Sequence, residues 1–148
     1  MFVVFDLDGT LANCEHRLHH IAMPAHGEAD WPEQNWDAFY ATVHEDTPIS
    51  PVQACAAALI DTGHRVEIWT GRSDNCRVAT QRWLNDHGLG GLPLIMREGG
   101  DRTADYRLKR GWITERGKPD LIFEDRASVV AMWREQGIIC AQVAPGDF

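Results

Sequence analysis

The sequence predicts an α/β domain built on a five-stranded parallel sheet with helices on both faces. Three observations carry that expectation: short continuous apolar runs of strand length, helix-length segments between them, and glycine or proline where one gives way to the other. Phe2 to Phe5 is the first run and reads as a strand buried on both faces. Pro51 to Thr62 reads as a helix, with Pro51 in its first turn and Gly63 at its stop, and Arg65 to Trp69 resumes as a strand. Ser73 caps a helix running to about His87, Gly88 ends it, and Pro93 to Met96 is apolar again. Thr103 to Arg116 is the next helix despite Gly111, followed by a strand at Leu121 to Phe123, a helix at Ala127 to Gln136 ended by Gly137, and a last strand at Ile138 to Val143. Strands joined through helices imply right-handed crossovers and a Rossmann-like sheet, in which ligands gather at the carboxyl ends of the strands.

The 148 residues, 44% of them hydrophobic, suit one domain spanning 1–148. Residues 11–50 break the alternation with clustered histidines, Pro24, Gly27 and Pro32 and a helix expected around Trp36 to Val43. The segment reads as a small cap or flap inserted after the first strand. Fourteen Lys and Arg stand against 22 Asp and Glu, a formal charge of -8, which disfavours broad electrostatic capture of a polyanion and leaves only local arginine clusters for that purpose. No apolar run approaches the ~18 residues of a membrane span, and the start, Met-Phe-Val-Val-Phe-Asp, carries no basic leader, so the expectation is a cytoplasmic protein without a membrane partner. Cys14, Cys55, Cys76 and Cys140 form no Cys-x-x-Cys pair and read as reduced, structural residues.

The residues at the strand ends are chemically unusual. Asp6-Leu7-Asp8-Gly9-Thr10 follows the first strand, Thr70-Gly71-Arg72 the second and Glu124-Asp125 the fourth, while Asp105 and Lys109 stand four apart on one helix. On parallel strands these groups converge on one crevice. Clustered carboxylates favour a hard ion such as Mg2+, and lysine and arginine neutralise a phosphate beside it. The two aspartates of the first loop can divide labour. Asp6, ionised beside the metal and lysine, attacks phosphorus; Asp8, expected apart from the cation and partly desolvated, keeps a proton for the leaving oxygen.

These motifs resemble the haloacid dehalogenase-like phosphatases: Asp6-Leu7-Asp8-Gly9-Thr10 matches the first motif, Thr70 the phosphate-binding hydroxyl, Lys109 the lysine, and Glu124-Asp125 the acidic pair. Within that superfamily the chain is most similar to the phosphatase domain of phage-type polynucleotide kinase-phosphatases, through Arg17, Arg72, Asp105 and the stretch from Val129 to Phe148. The resemblance implies catalysis by Asp6, Asp8, Thr70 and Lys109, and substrate contacts from Thr10, Arg17, Gly71, Arg72 and Asp105. It implies a metal at Asp6, Asp8, Asp125 and Glu124, with Glu124 standing where aspartate is usual and therefore placed behind a water. It also implies removal of a 3'-phosphate from polynucleotide ends, action in a host cytoplasm, and a separate kinase or ligase partner, because no Gly-x-x-x-x-Gly-Lys-Ser/Thr loop occurs in the chain.

Two other function classes stay open at this point: a phosphatase of nucleotides or other small molecules, favoured by the net charge, and a non-catalytic phosphate-binding partner module. The sequence sets no oligomeric state. His16, His19, His20 and His26 invite zinc, but polar flap residues are the favoured reading. Trp31 and Trp36 suit base stacking or, the favoured reading, packing, and Trp69, Trp83 and Trp133 belong to the core.

Overall fold

A computed structural model describes residues 1–21 and 34–146. In chain order its strands are β1 (Phe2–Phe5), β2 (Ala12–Asn13), β3 (Thr47–Pro48), β4 (Arg65–Ser73), β5 (Leu94–Arg97), β6 (Leu121–Arg126) and β7 (Ile139–Gly146). The α-helices are α1 (Trp36–Ala41), α2 (Ser50–Asp61), α3 (Arg77–Asp86), α4 (Asp105–Arg116) and α5 (Ala127–Glu135). The main sheet is parallel throughout in the order β5-β4-β1-β6-β7, with Val3 opposite Val66 on one side and Leu121 on the other. The order reverses beside β1, so a crevice opens at the carboxyl ends of β1, β4 and β6.

Because side chains alternate along a strand, the unbroken apolar run of β1 serves two cores. Val3 and Phe5 join Val52, Ala56, Trp83 and Leu84 of α2 and α3, whereas Val4 joins Trp112, Val129, Val130 and Trp133 of α4 and α5. The five-stranded α/β sheet flanked by helices is therefore the fold that the apolar periodicity anticipates. Trp69, Trp83 and Trp133 are all at most 2% exposed.

The strand ends differ from the expectation. β4 continues past Trp69 to Ser73 and β6 past Phe123 to Arg126, each with a shift of register, between Thr70 and Ser73 and between Glu124 and Arg126. Such irregularities keep the ladder while re-aiming side chains, so the chemically distinctive residues lie on the strands' last turns rather than after them. α3 correspondingly begins at Arg77, preceded by a 3₁₀ turn at Asp74–Cys76 whose Asn75 N–H donates to Ser73 Oγ.

Between β1 and α2 the chain forms the β2–β3 antiparallel pair, a 3₁₀ segment at Glu15–His20, α1, and a 3₁₀ turn at Val43–Glu45. Ile49 N–H donates to Leu11 O at 3.0 Å, and Trp83 Nε1 donates to Asp46 O at 2.7 Å, which fastens the end of this segment to α3. Pro24, His26, Gly27, Trp31 and Pro32 lie outside the described residues. No described helix is long and apolar enough to cross a membrane.

Trp69 anchors the core below the crevice: its ring meets Phe2, Trp112 and Trp133 at 6.1, 5.9 and 6.0 Å between centroids, and its Nε1 donates to Glu67. Trp69→Ala is expected to destabilise the protein by ~3–5 kcal/mol, read as a lower urea midpoint with an unchanged m-value.

Candidate active site

The turn after β1 carries two aspartates into the crevice. Leu7 O accepts the N–H groups of Thr10, Leu11 and Ala12, and Gly9 N–H donates to Ala12 O, closing a loop that needs the φ of +79° found at Gly9. Glycine is required there a second time, because a Cβ would stand 2.2 Å from an Asp125 carboxylate oxygen.

Asp6 leaves this turn toward β6 and α4. Lys109, 1% exposed, donates to Asp6 Oδ1 at 2.7 Å and to Glu124 Oε2 at 2.8 Å, with Asp105 Oδ2 at 3.6 Å. Asp6, Glu124 and Asp125 each offer an oxygen within 4.8 Å of the others, and all three are buried. Burial and the nearby Glu124 push the Asp6 carboxyl up to about 8 despite Lys109. Burial and Asp6 push Asp125 up to about 6, and Glu124 is raised chiefly by burial against the pull of Lys109. Three buried carboxylates around one ammonium are short of positive charge, and a divalent cation fits that oxygen donor set. The second Glu124 oxygen accepts the N–H groups of Asp125 and Arg126 at 3.3 Å. Glu124 is thus tied down by lysine and backbone, whereas Asp125 has no such lysine bond.

Asp8 turns the other way. Its Oδ1 accepts from Arg17 Nη2 and from Arg72 Nε at 3.0 Å. Both guanidiniums also grip Asp46: Arg17 through Nε at 2.7 Å and Nη2 at 2.8 Å, and Arg72 through Nη2 at 2.5 Å, while His16 Nε2 lies 2.9 Å from the same carboxylate. Burial works to raise the Asp8 carboxyl, but the two guanidiniums outweigh it and hold it below the usual carboxylate range. This corrects the expectation that Asp8 keeps a proton: it is desolvated, yet its neighbours are cations. Its carboxylate is not one of the three-oxygen cluster formed by Asp6, Glu124 and Asp125.

The remaining expected residues are distributed around these two centres. Asp105 stands 3.2 Å from Arg97, 3.6 Å from Lys109 and 3.7 Å from Arg126, so it is no simple surface pair on α4. Gly71 permits that approach, since a Cβ would meet Asp105 Oδ1 at 2.5 Å, and Gly71 O accepts from Arg97 Nε at 2.9 Å. Thr70 Oγ1 accepts the Arg72 N–H at 3.2 Å. Thr10 is fully buried and its hydroxyl has no hydrogen-bond partner among the described residues. His16 pairs with Asp46 and the rings of His19 and His20 lie 3.9 Å apart, with none of the three joining a metal-ligand cluster among the described residues.

Asp46 and Arg126 are site residues that the sequence reading did not single out, and Arg97 is one that it placed at a strand end without a role. Asp46 has no local motif: it is an aspartate in an irregular segment, and only the fold shows that it faces Arg17 and Arg72. Arg126 directly follows Asp125 and Arg97 ends β5, so position at a strand end was the available signal for both. Tyr40 also reaches this region. Burial and the Asp8 charge push its phenol up to about 12, against a hydrogen bond from the Ser73 backbone.

A family model described as the polynucleotide kinase PNKP phosphatase domain matches residues 32–148. Two solved structures of a Pnkp1/Rnl/Hen1 complex, one described as an RNA repair complex, contain a chain similar to this one at 28% identity, with TM-scores of 0.78 and 0.79 over 99% of this chain. The present chain spans 43% and 47% of those chains, less than half their length. A haloacid dehalogenase-like family hydrolase from Streptococcus pneumoniae shares the fold, with 15% identity and a TM-score of 0.63 over 95% of this chain and 82% of its own.

Two outcomes follow from the geometry. Asp46→Asn leaves two buried guanidiniums sharing one carboxylate and is expected to lower kcat/KM for phosphate release by about 10²-fold, with ~3–5 kcal/mol of stability lost. Asp6 and Asp125 have folded-state pKa values above their unfolded ones. Their stabilising contribution without a cation is therefore complete below about pH 4 and lost as pH rises through about 6 for Asp125 and about 8 for Asp6. Mg2+ held by these carboxylates would compete with those protons, so a rise in Tm on adding Mg2+ should be larger near pH 8 than near pH 6 and should shrink in Asp6→Asn.

Proposed function

The chain belongs to the polynucleotide kinase PNKP phosphatase domain family, and we propose from that membership and the site's geometry that it is a Mg2+-dependent phosphomonoesterase removing 3'-phosphates from polynucleotide ends. The observation that carries the chemistry is Asp6, buried, bonded to Lys109 at 2.7 Å, and grouped with Glu124 and Asp125 while Asp8 stands in a separate arginine environment. Two carboxylates two residues apart thus have different partners and can have different roles.

In this reading Asp6 Oδ attacks phosphorus, the bond from phosphorus to the ester oxygen breaks, and Asp8 delivers a proton to the departing alcohol. Asp8 is ionised before substrate arrives; a phosphate dianion brought beside it draws on the Arg17 and Arg72 charge and raises its proton affinity, so Asp8 takes up a proton from solvent as substrate binds and holds it for the departing alcohol. Water then attacks the aspartyl-phosphate, its proton passes to Asp8, and phosphate leaves with Asp6 restored. Lys109 keeps Asp6 aligned and, with Thr70, offers donors to the phosphoryl oxygens. Asp6 and Asp125 would hold the Mg2+ directly and Glu124 through water; the ion supplies charge stabilisation to the transferring group. Arg97 and Arg126, 14% and 29% exposed at the crevice, provide positive charge for a strand's last phosphates in a chain whose net charge is -8.

The nucleic-acid substrate is supported by the family and by the neighbours' RNA repair complex, and a separate kinase or ligase partner belongs to the same proposal. The net charge favours a second reading, a phosphatase of free nucleotides. Phosphate release with Mg2+ should be fastest, by kcat/KM, on a 3'-phosphorylated oligonucleotide, slower on its 5'-phosphorylated match and on 3'- and 5'-mononucleotides, and absent in Asp6→Asn. A far higher kcat/KM on mononucleotides would replace the end-processing reading with the second one, and binding without turnover on any substrate would leave a phosphate-binding module.

A further inference from the structure

One aromatic feature of the segment over the crevice is unused by the chemistry of Asp6, Asp8 and Lys109. Trp36 and Tyr40 lie four residues apart on α1 and share a face, with their rings 5.9 Å apart and inclined by 32°. Phe39, 3% exposed, packs edge-on against both rings and lies under the Arg17 guanidinium, whose central carbon is 4.0 Å from the ring centroid. The guanidinium that holds Asp8 therefore also rests on the aromatic cluster.

The inner end of that face is fixed at the catalytic crevice. Phe39, beside Tyr40 on α1, accepts from Arg17 Nη1 at its backbone oxygen at 3.3 Å, and Nη2 of the same guanidinium donates to Asp8. The outer end is open: Trp36 is 41% exposed, whereas Trp69, Trp83, Trp112 and Trp133 are all at most 6% exposed. Packing on Phe39 and Tyr40, the favoured expectation, covers only part of Trp36, which stays 41% exposed one helical turn from Tyr40.

We propose that Trp36 is the platform on which the base of the phosphate-bearing nucleotide stacks, with Tyr40 closing the inner end of the same aromatic face. The inference rests on the nucleic-acid reading given above and adds to it how the end is held. A chain of net charge -8 gains little from long-range attraction to a phosphate backbone, while stacking is insensitive to that charge and accepts any base. The platform therefore selects for a nucleoside next to the phosphate without selecting its identity.

The test compares KM for a 3'-phosphorylated hexanucleotide with KM for the same strand carrying an abasic 3'-terminal nucleotide. Trp36→Ala should raise KM for the intact end by between about 5- and 150-fold, the equivalent of ~1–3 kcal/mol per stacked base, leave kcat within about twofold, and leave KM for the abasic end unchanged. Trp36→Phe should recover most of the loss. An unchanged KM for the intact end, or an equal rise for both ends, overturns the proposal while the parent's turnover of the 3'-phosphate leaves the enzymatic reading standing. If the parent turns over mononucleotides instead of strands, the end-processing reading fails by itself. The same variants on a nucleoside 3'-monophosphate and on ribose phosphate then decide the platform, a selective rise in KM supporting it and none overturning it.

Discussion

The buried ammonium of Lys109 is the constraint on which the crevice depends. A lysine removed from water is tolerated only where anions surround it, and here Asp6, Glu124 and Asp105 do so at 2.7, 2.8 and 3.6 Å. Those partners come from the β1 turn, from β6 and from α4 itself, so one cation draws together elements far apart in sequence. The same bonds fix the Asp6 oxygens, which is what an attacking carboxylate requires. Lys109 leaves a deficit, however, because Asp125 adds a further buried carboxylate to the cluster. That deficit is the physical reason a divalent cation fits the site.

Beside this electron-rich centre lies a balanced one. Arg17 and Arg72 face Asp8 and Asp46, two positive groups against two negative ones, all with side chains fully or largely enclosed. Arg17 comes from the segment after β1 and Arg72 from β4, so Asp46 ties that segment to the sheet beside Asp8. Neighbouring aspartates of one short turn thereby acquire opposite surroundings, one poor in positive charge and one rich in it. Asymmetry of this kind lets two chemically identical side chains act differently.

Much of this was legible in the residues. The order of apolar runs and helix-length segments gave the parallel sheet, and Asp6, Asp8, Lys109, Glu124 and Asp125 could be placed around one crevice because strand ends converge there. What the residues did not show were contacts between segments with no fixed spacing. Asp46 lies 29 positions from Arg17 and 26 from Arg72, and only the folded chain shows that its carboxylate receives both guanidiniums. The protonation expected for Asp8 failed for the same reason: desolvation could be inferred from a buried turn, but the cations opposing it come from elsewhere. Strand limits at β4 and β6 were misplaced because register shifts let pairing continue through Thr70-Gly71-Arg72 and Glu124-Asp125, where periodicity had already ended.

On the proposed function, Asp6 itself takes the phosphoryl group. The most direct measurement of that step is rapid acid quench of the protein turning over a 3'-[³²P]phosphorylated oligonucleotide, followed by mapping of the labelled peptide. Mg2+-dependent label is expected on the peptide containing Asp6 and is lost in Asp6→Asn. Turnover with no protein-bound label at any quench time, or label on another residue, would contradict it.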